Sequence, residues 1–416
     1  MLPRLRITEL FAEVHEWTGF AERFSHLRTG APPADPVALM TAVLADATNL
    51  GLSRMARSAG NLPHSRLLWT AEWHIRDETY AAALGCLTET IHAQPLTEIW
   101  GPGDTSSSDG QFFKAGGHGE ARADHNAKYG SAPGVNISDR YAPFYTKVIA
   151  ANAGEAAHVL DGLMHHETSL NIREHYTDTG GVADHVFGLC HLLGFRFAPR
   201  IRDLADRKLS VPNGQVKYKT LDPMVGSTLN LRLVEENWSE ILRLAASIRA
   251  GTVAPSTILG RLSAYPRQNA LAKALREVGR VERTLFTLDW ITDPALRRRS
   301  NAGLNKSEAR NALARTLFFH RHGEIRDRTF ENQRYRASGL NLAVAAVILW
   351  NTVYLSRAVA ELRASGEDIA DDLLAHIAPL GWEHISFNGD YIWPSEPVQG
   401  GFRPLRNPNG SILDAA

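Results

Sequence analysis

The 416-residue sequence predicts an α/β protein in which a strand-bearing segment lies between helical regions. Three observations predict it. Apolar residues recur at three-to-four spacing through residues 1–98, short β-branched runs and glycine turns begin at Trp100-Gly-Pro-Gly, and helical periodicity returns from about residue 206. Hydrophobic residues make up 44% and charged residues 22%, so the chain can bury real cores, and its length suits two or three domains.

Taken in order, Ile7, Leu10, Phe11, Val14, Trp17 and Phe20 mark a first amphipathic helix. Pro36 opens a second segment, Val37 to Leu50, and a third run extends from Ser65 to His92. Strands are expected at Asp104 to Phe113, Val135 to Ser138 and Tyr145 to Asn152, the first followed by the turn Gly116-Gly-His-Gly. Ala156 to His166 reads as a helix, Ile172 to Thr177 as a strand, Val182 to Leu193 as a helix and Phe195 to Ile201 as a strand. Three strands, then helix, strand, helix and strand, is the order of a ribonuclease H-like core. The expected division is a helical N-terminal region (1–98), the first part of that core (99–205), a large helical insertion (206–300), core-completing helices (301–365, including Leu304 to His320 and Leu340 to Leu362) and a tail (366–416).

Composition excludes several classes. Lys plus Arg equal Asp plus Glu at 45 each, which rules out a globally basic nucleic-acid coat but not a local basic groove. With Cys86 and Cys190 alone, neither a disulfide scaffold nor a four-cysteine zinc site is available. Met1-Leu-Pro-Arg-Leu-Arg-Ile lacks a signal-peptide core, and the greasiest stretch, Leu342 to Trp350, is too short to span a bilayer, so no membrane role and a cytoplasmic location are expected. No strand–Gly-rich loop–helix phosphate cradle is present, so no nucleotide cofactor is expected, and a Gly-x-Ser-x-Gly elbow is absent.

Three carboxylates stand out by context. Asp109 sits in Thr105-Ser-Ser-Ser-Asp-Gly-Gln, Asp178 ends Arg173-Glu-His-Tyr-Thr-Asp-Thr-Gly-Gly, and Glu308 lies in Asn305-Lys-Ser-Glu-Ala-Arg-Asn-Ala-Leu. Phosphoryl transfer gives such a trio a use. Two Mg²⁺ ions about 4 Å apart clamp the attacking and leaving oxygens of an in-line displacement, and hard oxygen ligands suit them. Each residue also has a plain structural reading: Asp109 and Asp178 as turn residues, Glu308 as the third helical position of a capping box begun by Asn305.

The two aspartate motifs, Thr105-Ser-Ser-Ser-Asp-Gly-Gln and His175-Tyr-Thr-Asp-Thr-Gly-Gly, with Pro199-Arg-Ile-Arg-Asp-Leu and Asn332-Gln-Arg-Tyr-Arg-Ala-Ser-Gly-Leu-Asn-Leu, resemble the Tn-three family of replicative, cointegrate-forming transposases, from about residue 5 to the end. The resemblance implies a ribonuclease H-like catalytic core, Mg²⁺-dependent strand cleavage and transfer with two ions (Mn²⁺ substituting), transposon-end and target DNA as partners, and compatibility with a homodimer. It carries Asp109, Asp178 and Glu308 onto the Asp-Asp-Glu triad as catalytic and metal-binding residues, with Glu324 of His322-Gly-Glu-Ile-Arg-Asp as the fallback for the third position. Family members are usually more than twice this length, so the chain is expected to lack the DNA-end recognition domains. A catalytically silent form that binds DNA or a full-length transposase is the alternative, and an all-helical scaffold the distant third.

Basic residues gather near the third carboxylate, among them Arg297-Arg-Arg, Arg315, Arg321, Arg326 and Arg328. Lys306, Arg310, Arg334 and Arg336 are taken as the DNA-binding set, the alternative being a solvated helical face. Lys208, Lys217, Tyr218 and Lys219 form a smaller basic-aromatic patch, read as a surface loop before a DNA contact. His165, His166, His185 and His191, with His118 and His125, lack the spacing of a zinc site and are expected to be structural. His175 is expected either to line the site or to face a core.

Overall fold

The computed structural model describes residues 1–406 apart from 112, 114–130, 151–155, 180–181, 215–216, 265–268 and 328. The Gly116-Gly-His-Gly turn, His118, His125, Gly180, Gly181 and Arg328 therefore lie outside the described residues.

A two-residue strand β1 (Leu5–Arg6) precedes α1 (Ile7–Thr18). Then come α2 (Pro36–Ala47), α3 (Leu52–Ser58), α4 (His64–His74) and α5 (Asp77–His92). Asp35 caps α2 by accepting from the Ala38 N–H at 3.0 Å, with Pro36 at the first helical position where its missing N–H costs nothing. The expected run from Ser65 to His92 is two helices, because Ile75 and Arg76 adopt extended backbone between them.

The central sheet holds β2 (Thr105–Gly110), β3 (Ser131–Ser138), β4 (Pro143–Ala150), β5 (Glu174–Thr177) and β6 (Arg196–Phe197), ordered β4-β3-β2-β5-β6. β3 runs antiparallel to β2 and β4, whereas β2, β5 and β6 are mutually parallel. Helices α6 (Ala156–Met164) and α7 (Asp184–Leu193) make the crossovers that parallel neighbours require. Past Phe197 the ladder continues: the Ala198 and Arg200 N–H groups donate to the His175 and Thr177 carbonyls, both at 2.8 Å.

Residues 206–300 are not helical throughout. A parallel pair, β7 (Leu209–Val211) and β8 (Val225–Thr228), precedes α8 (Leu231–Arg249), α9 (Pro255–Ala264) and α10 (Ala270–Thr292). Each strand is three or four residues long, too short for an alternating pattern to stand out. Helix α11 (Pro294–Leu317) begins ten residues before the expected Leu304, capped by Asp293, whose carboxylate accepts from the Ala295 N–H at 2.8 Å. Helix α12 (Phe330–Ala364) follows, then the short α13 (Asp371–Leu374) and β9 (Ile385–Ser386), which pairs in parallel with β1.

Apolar burial forms two main clusters. One surrounds α12, where Leu342 to Trp350 are fully buried against α1, α2 and α5, and the tail closes over it with Phe387 and Tyr391. By length and composition α12 is the one helix among the described residues able to cross a membrane, yet its apolar stretch is spent on this core. The second cluster joins Phe144, Tyr176 and Phe197 of the sheet region to α6, α7 and α10. Gly279 lets α10 approach α7 closely, since a Cβ there would lie 1.6 Å from the Asp184 carbonyl oxygen.

Candidate active site

The sheet register brings the first two carboxylates together. Ser108 pairs with Thr177 across β2 and β5, so Asp109 and Asp178 occupy the next positions on adjacent parallel strands. Alternation then fixes their face. Asp109 shares a face with Ser107, and Asp178 shares one with Tyr176, the two residues being paired in register.

Helix α11 lies on that face. The Ser107 hydroxyl donates to the Gly303 carbonyl at 2.9 Å and meets the Ser307 hydroxyl at 2.7 Å, and the Asn311 amide donates to Asp109 Oδ2 at 2.9 Å. Ser300, Leu304, Ser307 and Asn311 are buried at helical spacing and form the contact stripe. Gly303 is required for this approach, because a Cβ would sit 2.6 Å from the Tyr176 ring. Glu308 adjoins the stripe and is exposed. It stands in the middle of α11, with Asp293 as the N-cap, so the capping-box reading of Asn305 and Glu308 is overturned.

The other two carboxylates act on Asp109. Burial first, then the charges of Glu308 and Asp178, push the Asp109 carboxyl above its ordinary range, with the Asn311 amide and the Gly110 N–H opposing them. Asp178 behaves oppositely. Desolvation, the largest single influence, raises its pKa, but the Thr179 N–H and the Arg200 and Arg202 guanidiniums together outweigh it and hold the group low. Arg200 Nη2 reaches Asp178 Oδ1 at 3.1 Å, and Arg202 Nη2 reaches Oδ2 at 2.6 Å. Among the described residues, no three His, Cys, Asp or Glu side chains stand close enough to hold a metal ion in this arrangement. The donor chemistry nevertheless fits a hard divalent cation. Two aspartates share a strand-end register, and the charges of Glu308 and Asp178 raise the pKa of Asp109, so repulsion at that carboxylate is left partly uncompensated.

The other acidic candidate lies elsewhere. Glu324 follows α11, its carboxylate on Arg326 at 3.0 Å and its carbonyl accepting from the Asn49 amide at 2.8 Å.

Two of the four basic residues expected on DNA, Arg310 and Arg336, require correction. Arg310 is 1% exposed and donates to Asn311 Oδ1 at 3.1 Å and to the Asn341 side chain, so it faces the interior. Arg336 is also buried, paired with Asp46 at 2.9 Å and Asp327 at 3.0 Å. Charge on one helix predicts a solvated face only when the helix is at the surface, and α12 is the centre of a core. Lys306 donates to the Trp100 and Asp139 carbonyls at 2.8 and 2.6 Å, tying α11 to the segment before β2 and the turn after β3. Arg334 is half-exposed but paired with Asp77. Of the smaller patch, Lys217 and Lys219 are exposed, and Lys208 donates to the Pro223 carbonyl at 3.0 Å.

His175 does not line the site. Three residues from Asp178, it falls on the opposite face, fully buried, its ring bridging the Ser106 hydroxyl at 2.7 Å and the Ser108 hydroxyl at 3.0 Å. Burial pushes its pKa down to about 3, so it is a neutral staple between β2 and β5. His166 meets the Thr168 hydroxyl at 2.7 Å and His191 faces Glu282 at 3.2 Å.

Sequence reasoning did not assign Asn311, Arg200 or Arg202 to the site. Asn311 is one turn from Glu308, and the two arginines sit in Pro199-Arg-Ile-Arg, so position relative to a candidate carboxylate was the available signal.

Comparison with known proteins adds an independent line. Residues 9–391 match the family model described as Tn3 transposase DDE domain. The chain is 56% identical over 414 residues to the transposase for transposon Tn501 of Pseudomonas aeruginosa, covering 98% of this chain and 42% of that protein. It is 45% identical to the transposase for transposon Tn1546 of Enterococcus faecium over 98% of this chain and 42% of that protein. Against the transposase for transposon gamma-delta of Escherichia coli (strain K12), identity is 34% over 97% of this chain and 41% of that protein. The chain thus spans about two fifths of the length of these relatives, and the family model covers nearly all of it. On these matches, the chain belongs to the Tn3 transposase DDE-domain family.

Proposed function

We propose that this chain carries the catalytic centre of a DNA transposase that cuts transposon-end strands and joins them to target DNA in replicative transposition. The observation that carries the reading is the side-by-side placement of Asp109 and Asp178 at the ends of β2 and β5, with Glu308 close enough on α11 to raise the Asp109 pKa. The strand order β4-β3-β2-β5-β6, with one antiparallel strand between parallel and edge partners, supports a ribonuclease H-like core. Family membership supports polynucleotidyl transfer as the reaction class and divalent cations as cofactors.

In this reading Asp109, Asp178 and Glu308 are the cation-holding groups, with Mg²⁺ the proposed metal. When bound, a pair of such ions supplies a polarised nucleophile and charge neutralisation at the scissile phosphate. The protein's own part is positioning. Asn311 fixes one oxygen of Asp109, the Ser107–Ser307 contact and Gly303 hold α11 at the strand ends, and the His175 staple keeps β2 and β5 in register. Rigid strand ends hold carboxylates in register better than loops do.

A nicking assay on supercoiled DNA with Mg²⁺ or Mn²⁺ tests the proposal. Metal-dependent nicking abolished by Asp109→Asn supports it. Metal-independent DNA binding without cleavage, with wild-type and variant chains behaving alike, supports the catalytically silent alternative.

A further inference from the structure

Asp178 is already occupied. Two arginines take both of its oxygens, and among the described residues the three acidic groups fall short of a metal-binding cluster. The arginines are placed by the fold. The Arg196, Ala198 and Arg200 N–H groups donate in turn to the Arg173, His175 and Thr177 carbonyls, at 2.7, 2.8 and 2.8 Å. This ladder sets Arg200 beside Asp178, and Arg202, two residues on, reaches the same carboxylate. Among the described residues, Asp178 is the one side chain that either guanidinium bonds, and the Arg202 side chain is 55% exposed. A cation and a guanidinium compete for the same lone pairs, so any cation entering at Asp178 must displace them. Two guanidiniums released beside a cation-loaded carboxylate have a phosphate as their natural acceptor, because Arg binds phosphate and carboxylate with the same planar fork.

We propose that Arg200 and Arg202 form a displaceable latch on Asp178, holding its carboxylate while no cation is bound and transferring to a DNA backbone phosphate once a divalent cation takes it. The inference rests on the proposed function, since it presumes that Asp178 receives the cation and that DNA is the substrate. The exchange breaks and forms only ion pairs and hydrogen bonds. It explains why the acidic groups are adjacent yet not gathered, and it makes cation binding and DNA binding mutually favourable. The cation removes the arginines' first partner and the phosphate provides their second.

The test uses the full 416-residue chain, with Mn²⁺ as probe followed by paramagnetic resonance, and a fluorescent DNA duplex for backbone binding. The latch predicts that Arg202→Gln binds Mn²⁺ about threefold tighter than wild type, and the Arg200→Gln/Arg202→Gln pair about tenfold tighter. It also predicts that adding Mn²⁺ raises duplex affinity in the wild type but not in the double variant, with the salt dependence of Mn²⁺-loaded binding falling by about two phosphate contacts. A purely structural role for the arginines would not tighten Mn²⁺ binding. The single variant retains the Arg200 side chain next to the β6 ladder, so the test stands even if the double variant folds poorly. Unchanged or weaker Mn²⁺ binding in Arg202→Gln, while Asp109→Asn still removes Mn²⁺ binding, overturns the latch and leaves the catalytic reading standing. Mn²⁺ binding indifferent to Asp109→Asn overturns both.

Discussion

The ends of β2 and β5 occupy equivalent places in the sheet and carry the same residue type, yet their surroundings are opposite. Asp109 is tucked under α11, its one side-chain donor among the described residues a neutral amide from Asn311, and burial with two neighbouring carboxylates pushes its pKa up. Asp178 stands more open, with two guanidiniums on it and a pKa held down. The sheet thus determines where acidic groups meet, while the elements packed against each strand determine how their charge is balanced. One carboxylate is left under-compensated and the other over-compensated.

The largest expected effect tests whether the two strand ends work as one unit. Asp109→Asn and Asp178→Asn should each lower metal-dependent DNA nicking by at least about 10³-fold, and the double variant should be little worse, because residues acting together are strongly non-additive. Multiplying losses would mean that the two aspartates act independently.

Next comes the support beneath the β2 end. Gly303→Ala places a methyl 2.6 Å from the Tyr176 ring, so α11 must shift, and about 1–3 kcal/mol of stability should be lost in denaturant unfolding. Nicking should fall further than this stability loss accounts for, since Glu308 and Asn311 move with the helix. Gly366→Ala, where nothing lies within 4 Å of the added Cβ, controls for glycine replacement in general but carries its own strain at a positive φ.

Removing the neutral donor sharpens the contrast between the ends. Asn311→Leu leaves a part-buried carboxylate oxygen without its partner, at a cost of about 1–3 kcal/mol, measurable by thermal or chemical unfolding in metal-free buffer. An equal loss on Asp178→Leu would erase the distinction, because that carboxylate is more open and its partners return to solvent.

The smallest effect is one of pH, and its sign differs at the two ends. The folded-state pKa of Asp109 is raised, so its contribution favours the fold at low pH and is lost as pH rises from the unfolded carboxylate value through the folded one. Asp178 is depressed, so its contribution is present above the unfolded value and lost as pH falls through the folded one. In chelator-treated protein, Asp109→Asn should therefore stabilise near neutral pH and Asp178→Asn should not. The comparison is of unfolding free energies at two pH values.

How far the sequence disclosed this arrangement depends on the kind of information each part needs. The α1 helix and the α/β order follow from apolar periodicity, and the buried character of Leu342 to Trp350 from an unbroken apolar run, both of which are local. The three carboxylates are named by motif and resemblance, and their adjacency is a matter of register, which no local pattern contains. The basic residues show the limit most clearly. Arg310 and Arg336 look like surface cations in a run of charges, but each is drawn inward by a side chain remote in sequence, Asn341 for the first and Asp46 for the second. Arg200 and Arg202 were equally visible as residues, yet their meaning depends on a hydrogen-bond ladder between β5 and the chain after β6. Glu308 was misplaced as a helix start because Asn305 mimics a cap, while the real cap, Asp293, lies twelve residues earlier.

The central claim is that chain segments far apart in sequence join their acidic groups around shared divalent cations. Anomalous diffraction from crystals of this chain soaked in Mn²⁺ addresses it directly. The account predicts manganese peaks in contact with oxygens of both Asp109 and Asp178, with Arg200 and Arg202 turned away. Manganese bound elsewhere, with Asp178 still held by its two arginines at saturating Mn²⁺, would contradict it.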